Sequence, residues 1–427
     1  MILRGARQVG KTWLVRELAR TEGRKLVELN FERDPGPGEW FKKTDPAEII
    51  RLVSADRGAS IDPDNTILFL DEVQAAPFVI PCLRWFFEEM PRLPVIAAGS
   101  LLEFVLDEHD FSMPVGRVTY FRLEPMTFLE FAEAFGFGIL GDEIRRAFSK
   151  ADMDVTLHRK AMELFRKYCF VGGMPEAVAT HVAGDGSEAV QSVHADILAS
   201  YRDDFNKYRA RIPVDALEAV FRSVPAQLGG RFMYSRANPH ARSATLSTAL
   251  RKLAQARILS TVRCTPATGI PLGANARDDI FKAIFLDVGL AQSFLGLGPL
   301  DYENLERVLW ANSGAVAEQA TGQLLRASAP RNADETLFYW QQIGSNNSEI
   351  DYVIQRGSSI VPVEVKAGTS GAMKSLHYFM FKRQLDTAVR IDANPPSFQR
   401  VKTKTTQSDA VEYDLWSYPL YMTELLK

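Results

Sequence analysis

The sequence is poor in the residues that build metal and disulfide frameworks. Its 427 residues include three cysteines and six histidines. The cysteines stand far apart, at Cys82, Cys169 and Cys264, and the histidines do not cluster with them. The composition therefore predicts neither a zinc site nor disulfide bonds.

Long apolar runs are also lacking. No segment reaches the roughly 18 uninterrupted apolar residues that a membrane-spanning helix needs, and no signal peptide is recognisable. The hydrophobic fraction of 46% and the charged fraction of 24% are those of an ordinary globular protein. We therefore expect a cytoplasmic protein without a membrane partner, and the length predicts two or three domains.

A large excess of positive charge is missing from the chain as a whole. The formal net charge of −3 argues against a protein that coats nucleic acid along its entire surface. Between Tyr201 and Arg263, however, twelve Lys and Arg residues stand against four Asp and Glu residues. This basic middle region predicts an anionic partner, either DNA or a protein. Solvated helix faces would give the same count, so this alternative stays open.

A glycine-rich loop of the pattern GxxxxGK(S/T) lies near the N-terminus. A short apolar strand precedes it and helical apolar spacing follows it, so bound phosphates would face a helix N-terminus. Lys11 is expected to reach the β- and γ-phosphates of ATP, and Thr12 to bind Mg²⁺. The residues predicted to hold the nucleotide are Gly5, Ala6, Arg7, Gln8, Val9, Gly10, Lys11 and Thr12. A chance match to this short pattern is the alternative.

An apolar run that ends in two acids follows at residues 66–72. A run of this kind is typical of a strand buried in a parallel sheet, whose carboxyl end delivers ligands. Asp71 is predicted to hold Mg²⁺, and Glu72 to polarise the water that attacks the γ-phosphate. The alternative is a buried strand that runs into an acidic loop.

Two further residues are candidates for the same site. Ser100 follows a predicted strand at residues 94–98 and is expected to sense the γ-phosphate, unless it only caps the next helix. Arg117 is predicted to stabilise charge on the transferred phosphate, in its own chain or across the interface of a homo-oligomer. An exposed arginine without a catalytic role is the alternative.

The pattern of apolar runs predicts three regions with an α/β fold. Residues 1–135 are expected to form a P-loop domain with a doubly wound parallel sheet. Residues 136–275 are expected to form a helical and winged helix-turn-helix region, and residues 276–427 an α/β domain similar to restriction endonucleases. The predicted wing of the helix-turn-helix region is a loop rich in proline and glycine between two apolar strands, at residues 258–262 and 280–286. The winged helix would bind DNA or mediate protein contacts, and its fold alone does not decide between the two.

Two apolar strands joined by a turn at Gly357 predict a hairpin near the C-terminus. Glu364 and Lys366 are two residues apart and face the same side of a strand, and the turn brings Asp351 alongside them. These residues match the D…(E/D)xK site of nucleases, in which the carboxylates bind Mg²⁺ and the lysine activates hydroxide. Glu318, on a preceding helix, is the further candidate ligand. A cross-strand ion pair is the alternative.

Together these motifs resemble the prokaryotic P-loop ATPases of the AAA-14 type joined to a DUF4143 region. The matching segments are residues 5–12, 70–74, 99–100, 115–117, 172–176 and 285–290, Gly314 with Glu318, and residues 349–351 with 364–366. The resemblance implies an ATPase core, a helical and winged-helix middle, and a nuclease-like PD-(D/E)xK domain, with residues 136–427 as the DUF4143-like part. The glycine pair before Pro175 predicts a tight structural turn.

The resemblance also shows one departure. Members usually carry a complete first strand and a few tens of residues before the phosphate loop, whereas Met1–Arg4 precede it here. A misplaced start or a truncation is the expectation, with reduced stability or nucleotide affinity.

Three functions remain open on the sequence alone. The first is an ATP-hydrolysing switch or motor that acts on nucleic acid or on a protein. The second is a metal-dependent nuclease controlled by ATP. The third is a non-enzymatic scaffold that binds ATP. Glu72 favours hydrolysis, because a protein that only binds ATP does not need a residue that polarises water.

Overall fold

The computed structural model describes residues 1–99, 116–206, 212–298, 313–332, 336–342 and 348–427. The chain forms two compact units. The first consists of Met1–Glu124, Gln255–Arg257 and Pro330–Ala333, and the second of Pro125–Ala254, Ile258–Ala329 and Asp334–Lys427. Among the described residues, no helix has both the length and the apolar character that crossing a membrane requires.

The first unit is built on a parallel sheet. Its strands are β1 (Ile2–Arg4), β2 (Lys25–Asn30), β3 (Thr66–Asp71), β4 (Val95–Ala98) and β5 (Tyr120–Arg122). They follow the order β2-β3-β4-β1-β5, and every neighbouring pair is parallel. This confirms the predicted N-terminal parallel sheet. All six side chains of β3 are buried, as the apolar run Ile67–Leu70 at its centre indicates.

Helices cover both faces of this sheet. They are α1 (Lys11–Thr21), α2 (Pro46–Arg57) and α3 (Val79–Glu89), with 3₁₀ helices at Gly36–Lys43 and Val73–Ala75. Leu68 and Leu70 of β3 pack in one apolar cluster, together with α2 and α3. Phe69 points to the opposite side and packs with Val15 of α1. The alternation of side chains along a strand therefore produces the two-sided core that a doubly wound sheet requires.

The second unit begins with a helical part, as predicted. Its helices are α4 (Phe128–Ala134), α5 (Gly138–Lys150), α6 (Val155–Val171), α7 (Pro175–Ala183), α8 (Gly186–Phe205), α9 (Val214–Ala226), α10 (Tyr234–Ala237), α11 (Ser243–Gln255), α12 (Val288–Phe294), α13 (Ser313–Ala327) and α14 (Lys374–Arg383). A 3₁₀ helix at Leu420–Leu425 ends the chain.

The predicted glycine turn packs against a buried carboxylate. Asp287, fully buried, accepts hydrogen bonds from the backbone N–H of Gly173 (2.7 Å) and of Leu290 (3.0 Å). Gln323 donates a third, at 2.9 Å. Gly172 has φ of 75°, and a Cβ atom there would lie 2.0 Å from an Asp287 oxygen. The turn must therefore be glycine, both for its left-handed backbone and for the close approach of Asp287.

A mixed sheet completes the second unit. Its strands are β6 (Leu259–Cys264), β7 (Arg277–Phe285), β8 (Leu337–Gln341), β9 (Glu349–Arg356), β10 (Ser359–Val365), β11 (Thr387–Asp392), β12 (Ser397–Lys404) and β13 (Ala410–Pro419). Their order is β12-β13-β11-β10-β9-β8-β6-β7. The antiparallel hairpin β6–β7 is the one predicted as the winged-helix wing, and β6 pairs in parallel with β8.

This pairing corrects the predicted domain division. The boundary between residues 275 and 276 falls inside the β6–β7 hairpin, and the hairpin belongs to the same sheet as the C-terminal strands. The N-terminal segment of the first compact unit also ends at Glu124, earlier than the predicted residue 135. Local sequence patterns locate strands but do not show which distant strand will pair with them. The winged-helix and restriction-endonuclease-like assignments stay predictions.

Candidate nucleotide-binding site and C-terminal charged cluster

The glycine-rich loop connects β1 to α1 in the first unit. A Cβ atom at Gly5 would lie 2.4 Å from the carbonyl oxygen of Leu123, so only glycine allows this close packing. Gly10 caps the start of α1 with φ of 93°, and Gln8 also has a positive φ, 65°. Ala6 and Val9 turn their side chains into the core. The loop backbone is thereby fixed before the N-terminus of α1, as the motif predicts.

Lys11 lies across the loop that contains it. Its buried ammonium group donates to the carbonyl oxygens of Gly5, at 3.1 Å, and Ala6, at 2.8 Å. The cation is thus held within the loop whose backbone turns around it. A phosphate oxygen at this position would offer a charged acceptor in place of neutral carbonyls, and charge-assisted hydrogen bonds are the stronger ones.

Thr12 and Asp71 meet although 59 positions separate them. The Thr12 hydroxyl donates to Asp71 Oδ2 at 3.0 Å, and the backbone N–H of Glu72 donates to Oδ1 at 3.1 Å. Burial raises the pKa of Asp71, the Glu72 carboxylate raises it further, and the two hydrogen bonds act in the opposite direction. A hydroxyl beside a buried carboxylate is the oxygen donor set that Mg²⁺ prefers, so these residues fit the predicted metal.

Asn30 is a neighbour that the sequence analysis missed. Its amide donates to Asp71 Oδ2 at 3.2 Å. Asn30 is the last residue of β2 and pairs in register with Asp71 at the end of β3. Polar residues at the ends of adjacent parallel strands are the signal that would have identified it.

Glu72 has a left-handed backbone, with φ of 52°. This conformation turns the chain sharply after β3 and starts the short 3₁₀ helix, from which the Gln74 amide donates to the Glu72 carboxylate. Glu72 is therefore held by a side chain two residues away. Such an outlier backbone is compatible with a residue positioned for function. Ser100, the predicted γ-phosphate sensor, lies outside the described residues.

Arg117 lies at the end of the strands opposite the phosphate loop, and this position does not fit the predicted role within its own chain. It precedes β5, and β5 runs parallel to β1 with Arg122 opposite Arg4. The phosphate loop follows Arg4, so Arg117 and the loop are at opposite strand ends, about 17 Å of extended chain apart. Arg117 Nε instead pairs with Glu88 Oε1 at 3.0 Å, in the last turn of α3. This corrects the intramolecular role, and the role across a subunit interface stays a prediction.

Three family models match separate parts of the chain. Residues 1–132 match an AAA domain (AAA_14). The N-terminal region is thus similar to AAA domains. This match supports a P-loop, ATP-binding protein of the ATPase type. Residues 162–301 match a domain of unknown function, DUF8612, and residues 313–409 match another, DUF4143. The DUF4143 match at residues 313–409 is shorter than the predicted region 136–427, and the DUF8612 model matches residues 162–301 of that region instead.

The chain was also compared with curated proteins and with solved structures. No curated protein matches the chain. Among solved structures, the Aeropyrum pernix ORC2 protein in its ADPNP–ADP complexes is similar at 13% identity, with 69% of this chain and 86% of that chain covered. The TM-score is 0.36, which is too low to assign a fold or a function to this chain.

In the second unit, the predicted hairpin forms. Strands β9 and β10 are antiparallel, with Tyr352 opposite Val363. Asp351 Oδ2 accepts a hydrogen bond from the backbone N–H of Val365 at 2.8 Å, and Lys366 Nζ lies 2.6 Å from Glu364 Oε1. The Tyr352 hydroxyl donates to the carbonyl of Glu318 at 2.8 Å and ties the hairpin to α13. Asp351, Glu364, Lys366 and Glu318 therefore lie in one region of the second unit.

A residue that the sequence analysis missed occupies the centre of this group. Lys282 of β7 is 1% exposed, and its ammonium lies 2.6 Å from Glu318 Oε1. It also lies 2.5 Å from Glu349 Oε1 and 3.8 Å from Asp351 Oδ1. The signal was present in the sequence, because Lys282 interrupts the apolar run IFKAIF of β7, where an unpaired charge would be costly. We call Lys282 and these three acids, with Glu364 and Lys366, the charged cluster.

Burial and the surrounding charges change the titration of the charged cluster. Burial alone lowers the pKa of Lys282, but the carboxylates of Glu318, Glu349 and Asp351 outweigh it and raise that pKa well above its usual value. Burial raises the pKa of Glu318 to about 7, against the pull of Lys282. Burial, followed by repulsion from Asp351, raises the pKa of Glu364 to about 7 as well.

The cluster does not have the geometry of the predicted metal site. Within the described ranges, no group of three or more His, Cys, Asp or Glu residues is arranged to hold a metal ion. The acids Glu318 and Asp351 converge on an ammonium group, and Glu364 is paired with Lys366. This arrangement speaks against the metal-ligand roles of Glu318, Asp351 and Glu364, and the hydroxide-activating role of Lys366 stays a prediction. Lys282 lies too far away in sequence for the short motif to include it.

Proposed function

We propose that this chain is a Mg²⁺-dependent ATPase that acts as a switch or motor on DNA. One observation carries the ATPase proposal, namely the hydrogen bond of the Thr12 hydroxyl to Asp71, with Glu72 as the next residue. It brings the end of the phosphate loop to the end of the acidic strand β3, where a nucleotide and its metal are bound in P-loop proteins.

Each residue of the site has a distinct role in this proposal. Lys11 exchanges the carbonyls of Gly5 and Ala6 for phosphate oxygens and keeps its charge on them. Thr12 and Asp71 hold Mg²⁺, which when bound neutralises charge on the phosphates. Glu72 orients the attacking water and accepts its proton. Asn30 keeps Asp71 in place.

Gln74 is a positioning residue for Glu72. Its amide nitrogen donates to the carboxylate, while its amide oxygen is buried close to Gly99. A Cβ atom at Gly99 would lie 2.5 Å from that oxygen, so the end of β4 confines the Gln74 side chain. Confinement of Gln74 limits the positions that Glu72 can take, and this lowers the cost of orienting the water.

The ATPase proposal is tested by phosphate release from the purified chain with ATP, with and without Mg²⁺. We expect Mg²⁺-dependent turnover, and Glu72→Gln should lower it about 100-fold while ATP binding persists. Glu89→Gln, an exposed acid on α3, is the matched control and should retain full turnover. ATP binding without phosphate release in the parent protein would instead favour the scaffold.

The DNA partner is proposed from the surface of α10 and α11. The chain has no acidic residue between Glu218 and Asp278. The exposed basic side chains of this surface are Arg236, His240, Arg242 and Arg251. In the described part of the chain, no carboxylate pairs with the three arginines, whereas both arginines of α5 are paired within their own helix. The apolar side of α11, with Leu246 and Leu250, is buried, so its polar side faces solvent.

Unpaired arginines among small hydroxyl residues suit phosphate contacts on duplex DNA. Fluorescence anisotropy with a labelled duplex, over a range of salt concentrations, tests this proposal. The triple variant Arg236→Gln, Arg242→Gln, Arg251→Gln should bind more weakly and reduce the salt slope by about 3, one unit for each lost contact. Arg145→Gln with Arg146→Gln on α5 is the control. Equal weakening in both variants would reject a localised surface.

A further inference from the structure

Lys282 has no part in the proposed ATPase, and its surroundings set it apart from other lysines of the chain. A lysine is rarely this deeply buried unless it is paired. Here three carboxylates surround one ammonium, which carries three N–H donors. Glu318 and Glu349 lie within hydrogen-bonding distance of the ammonium, whereas Asp351, at 3.8 Å, contributes its charge alone.

The backbone keeps Lys282 in this place. Residue 282 pairs with Val262 of β6 on one side, and Arg231 bridges to it on the other. Its neighbours Phe281 and Ala283 are buried, and the ring of Tyr339 lies 5.2 Å from the ammonium. The Lys282 side chain is 1% exposed and lies against three carboxylates and the Tyr339 ring, so its ammonium is enclosed by the side chains around it.

We propose that Lys282 is the resident cation of the charged cluster, and that it excludes a divalent metal ion from the carboxylates of Glu318, Glu349 and Asp351. The contacts of 2.5 and 2.6 Å place the ammonium directly between Glu318 and Glu349. A metal ion would need the same position, because Mg²⁺ binds oxygen ligands at about 2.0–2.1 Å. Two cations cannot share it.

Lys282→Met removes the charge and keeps a chain of similar volume. Three carboxylates then face a space without a cation, while Glu349, Asp351 and Lys366 remain partly open to solvent. The variant should therefore acquire a divalent cation site that the parent chain lacks.

The experiment is a Mn²⁺ titration of the nucleotide-free full chain, followed by electron paramagnetic resonance of free Mn²⁺. We expect Lys282→Met to bind one more equivalent than the parent, at least about 10-fold more tightly than any parental binding to this cluster. Adding Asp351→Asn to Lys282→Met should abolish the gain. Lys366→Met is the matched control, because Lys366 contacts Glu364 at the edge of the cluster, and it should show no gain.

Two results would overturn the inference. The first is a parental Mn²⁺ site that Asp351→Asn removes and Thr12→Ala leaves intact, since the metal would then bind beside Lys282. This measurement needs no Lys282 variant, so it decides the question even where Lys282→Met does not fold. The second is a folded Lys282→Met protein, judged by circular dichroism, that gains no Mn²⁺ binding.

Discussion

Lys11 donates to two carbonyl oxygens of its own loop, and in the proposed site phosphate oxygens replace these acceptors. A lysine at this position supplies the positive charge that the phosphates need, while the surrounding glycines only shape the backbone. The effect of losing the charge can therefore be separated from the effect of losing the fold.

Lys11→Met should weaken ATP binding about 100-fold, because the phosphates lose their charge-assisted hydrogen bond. The melting temperature should change little, since Met is accommodated at this buried position. Isothermal titration calorimetry with ATP and Mg²⁺ measures the affinity. Lys25→Met is the control, because Lys25 is an exposed residue at the start of β2. An unchanged affinity in Lys11→Met would remove the basis of the nucleotide site.

Glu424 is a single buried acid whose titration should be visible in the stability of the second unit. Its carboxylate accepts a hydrogen bond from the backbone N–H of Leu129 at 2.9 Å, and burial raises its pKa to about 7. The folded-state pKa lies above that of the unfolded chain, so the folded protein binds the proton more tightly. This contribution is complete below about pH 4.5 and is lost as the pH rises through 7.

Glu424→Gln should therefore gain stability relative to the parent chain between pH 5.5 and pH 8, by about 2 kcal/mol. Glutamine keeps the acceptor for Leu129 but has no proton to lose. Urea unfolding at the two pH values measures the difference in the free energy of unfolding. Glu133→Gln, an exposed acid on α4, should show no such change. A parallel pH dependence of parent and Glu424→Gln would show that Glu424 does not titrate in this range.

At the scale of elements, the turn between α6 and α7 shows how one buried carboxylate joins distant segments. Asp287 precedes α12 and bonds to Gly173 in the turn and to Gln323 on α13. A Cβ atom on Gly289 would lie 2.6 Å from the backbone nitrogen of Gly172, so α12 approaches the turn closely as well. The small residues permit the approach and the carboxylate satisfies the buried donors.

Gly172→Ala should lower the free energy of unfolding by about 3 kcal/mol or more, because the new methyl group meets Asp287 and the backbone has φ of 75°. Gly184→Ala is the matched control. Gly184 has φ of 87°, but its Cβ position is open, so it should cost only about 1 kcal/mol from the left-handed backbone. Chemical denaturation of both variants gives the two values. Equal losses would mean that backbone strain alone, without the Asp287 contact, accounts for the requirement for glycine.

At the scale of the whole molecule, Arg117 raises the question of assembly. Within its own chain it lies at the end of the strands opposite the phosphate loop, where it pairs with Glu88. Its side chain is 43% exposed and thus accessible to another copy of the chain. A catalytic role would require Arg117 of one copy to contact the nucleotide that is bound by the other copy.

If Arg117 acts across an interface, Arg117→Ala should lower ATP turnover about 10-fold or more with ATP affinity unchanged. Mixing it with Lys11→Ala protein should restore part of the turnover, because each variant supplies the residue that the other lacks. Phosphate release from each variant and from the mixture gives the answer. Arg84→Ala, which removes the other arginine paired with Glu88, is the control. Full turnover of Arg117→Ala alone would end the catalytic role.

The sequence by itself determined the features that depend on neighbouring residues. The phosphate loop needs eight consecutive positions, the centre of β3 (Ile67–Leu70) is apolar because both its faces are buried, and the C-terminal hairpin follows from two strands and a glycine turn. In these cases the physical cause is local backbone geometry or burial, and both leave a pattern in a short stretch of sequence.

Only the tertiary structure decided the features that depend on pairing across long separations. Asn30 reaches Asp71, Asp287 reaches Gly173, and Lys282 reaches Glu318 because strands and helices pack side by side. The direction of β5 placed Arg117 at the strand end opposite the phosphate loop. The pairing of β6 with β8 joined the predicted wing to the C-terminal strands. Strand order and direction follow from the packing of the complete core, which no single stretch of the chain specifies.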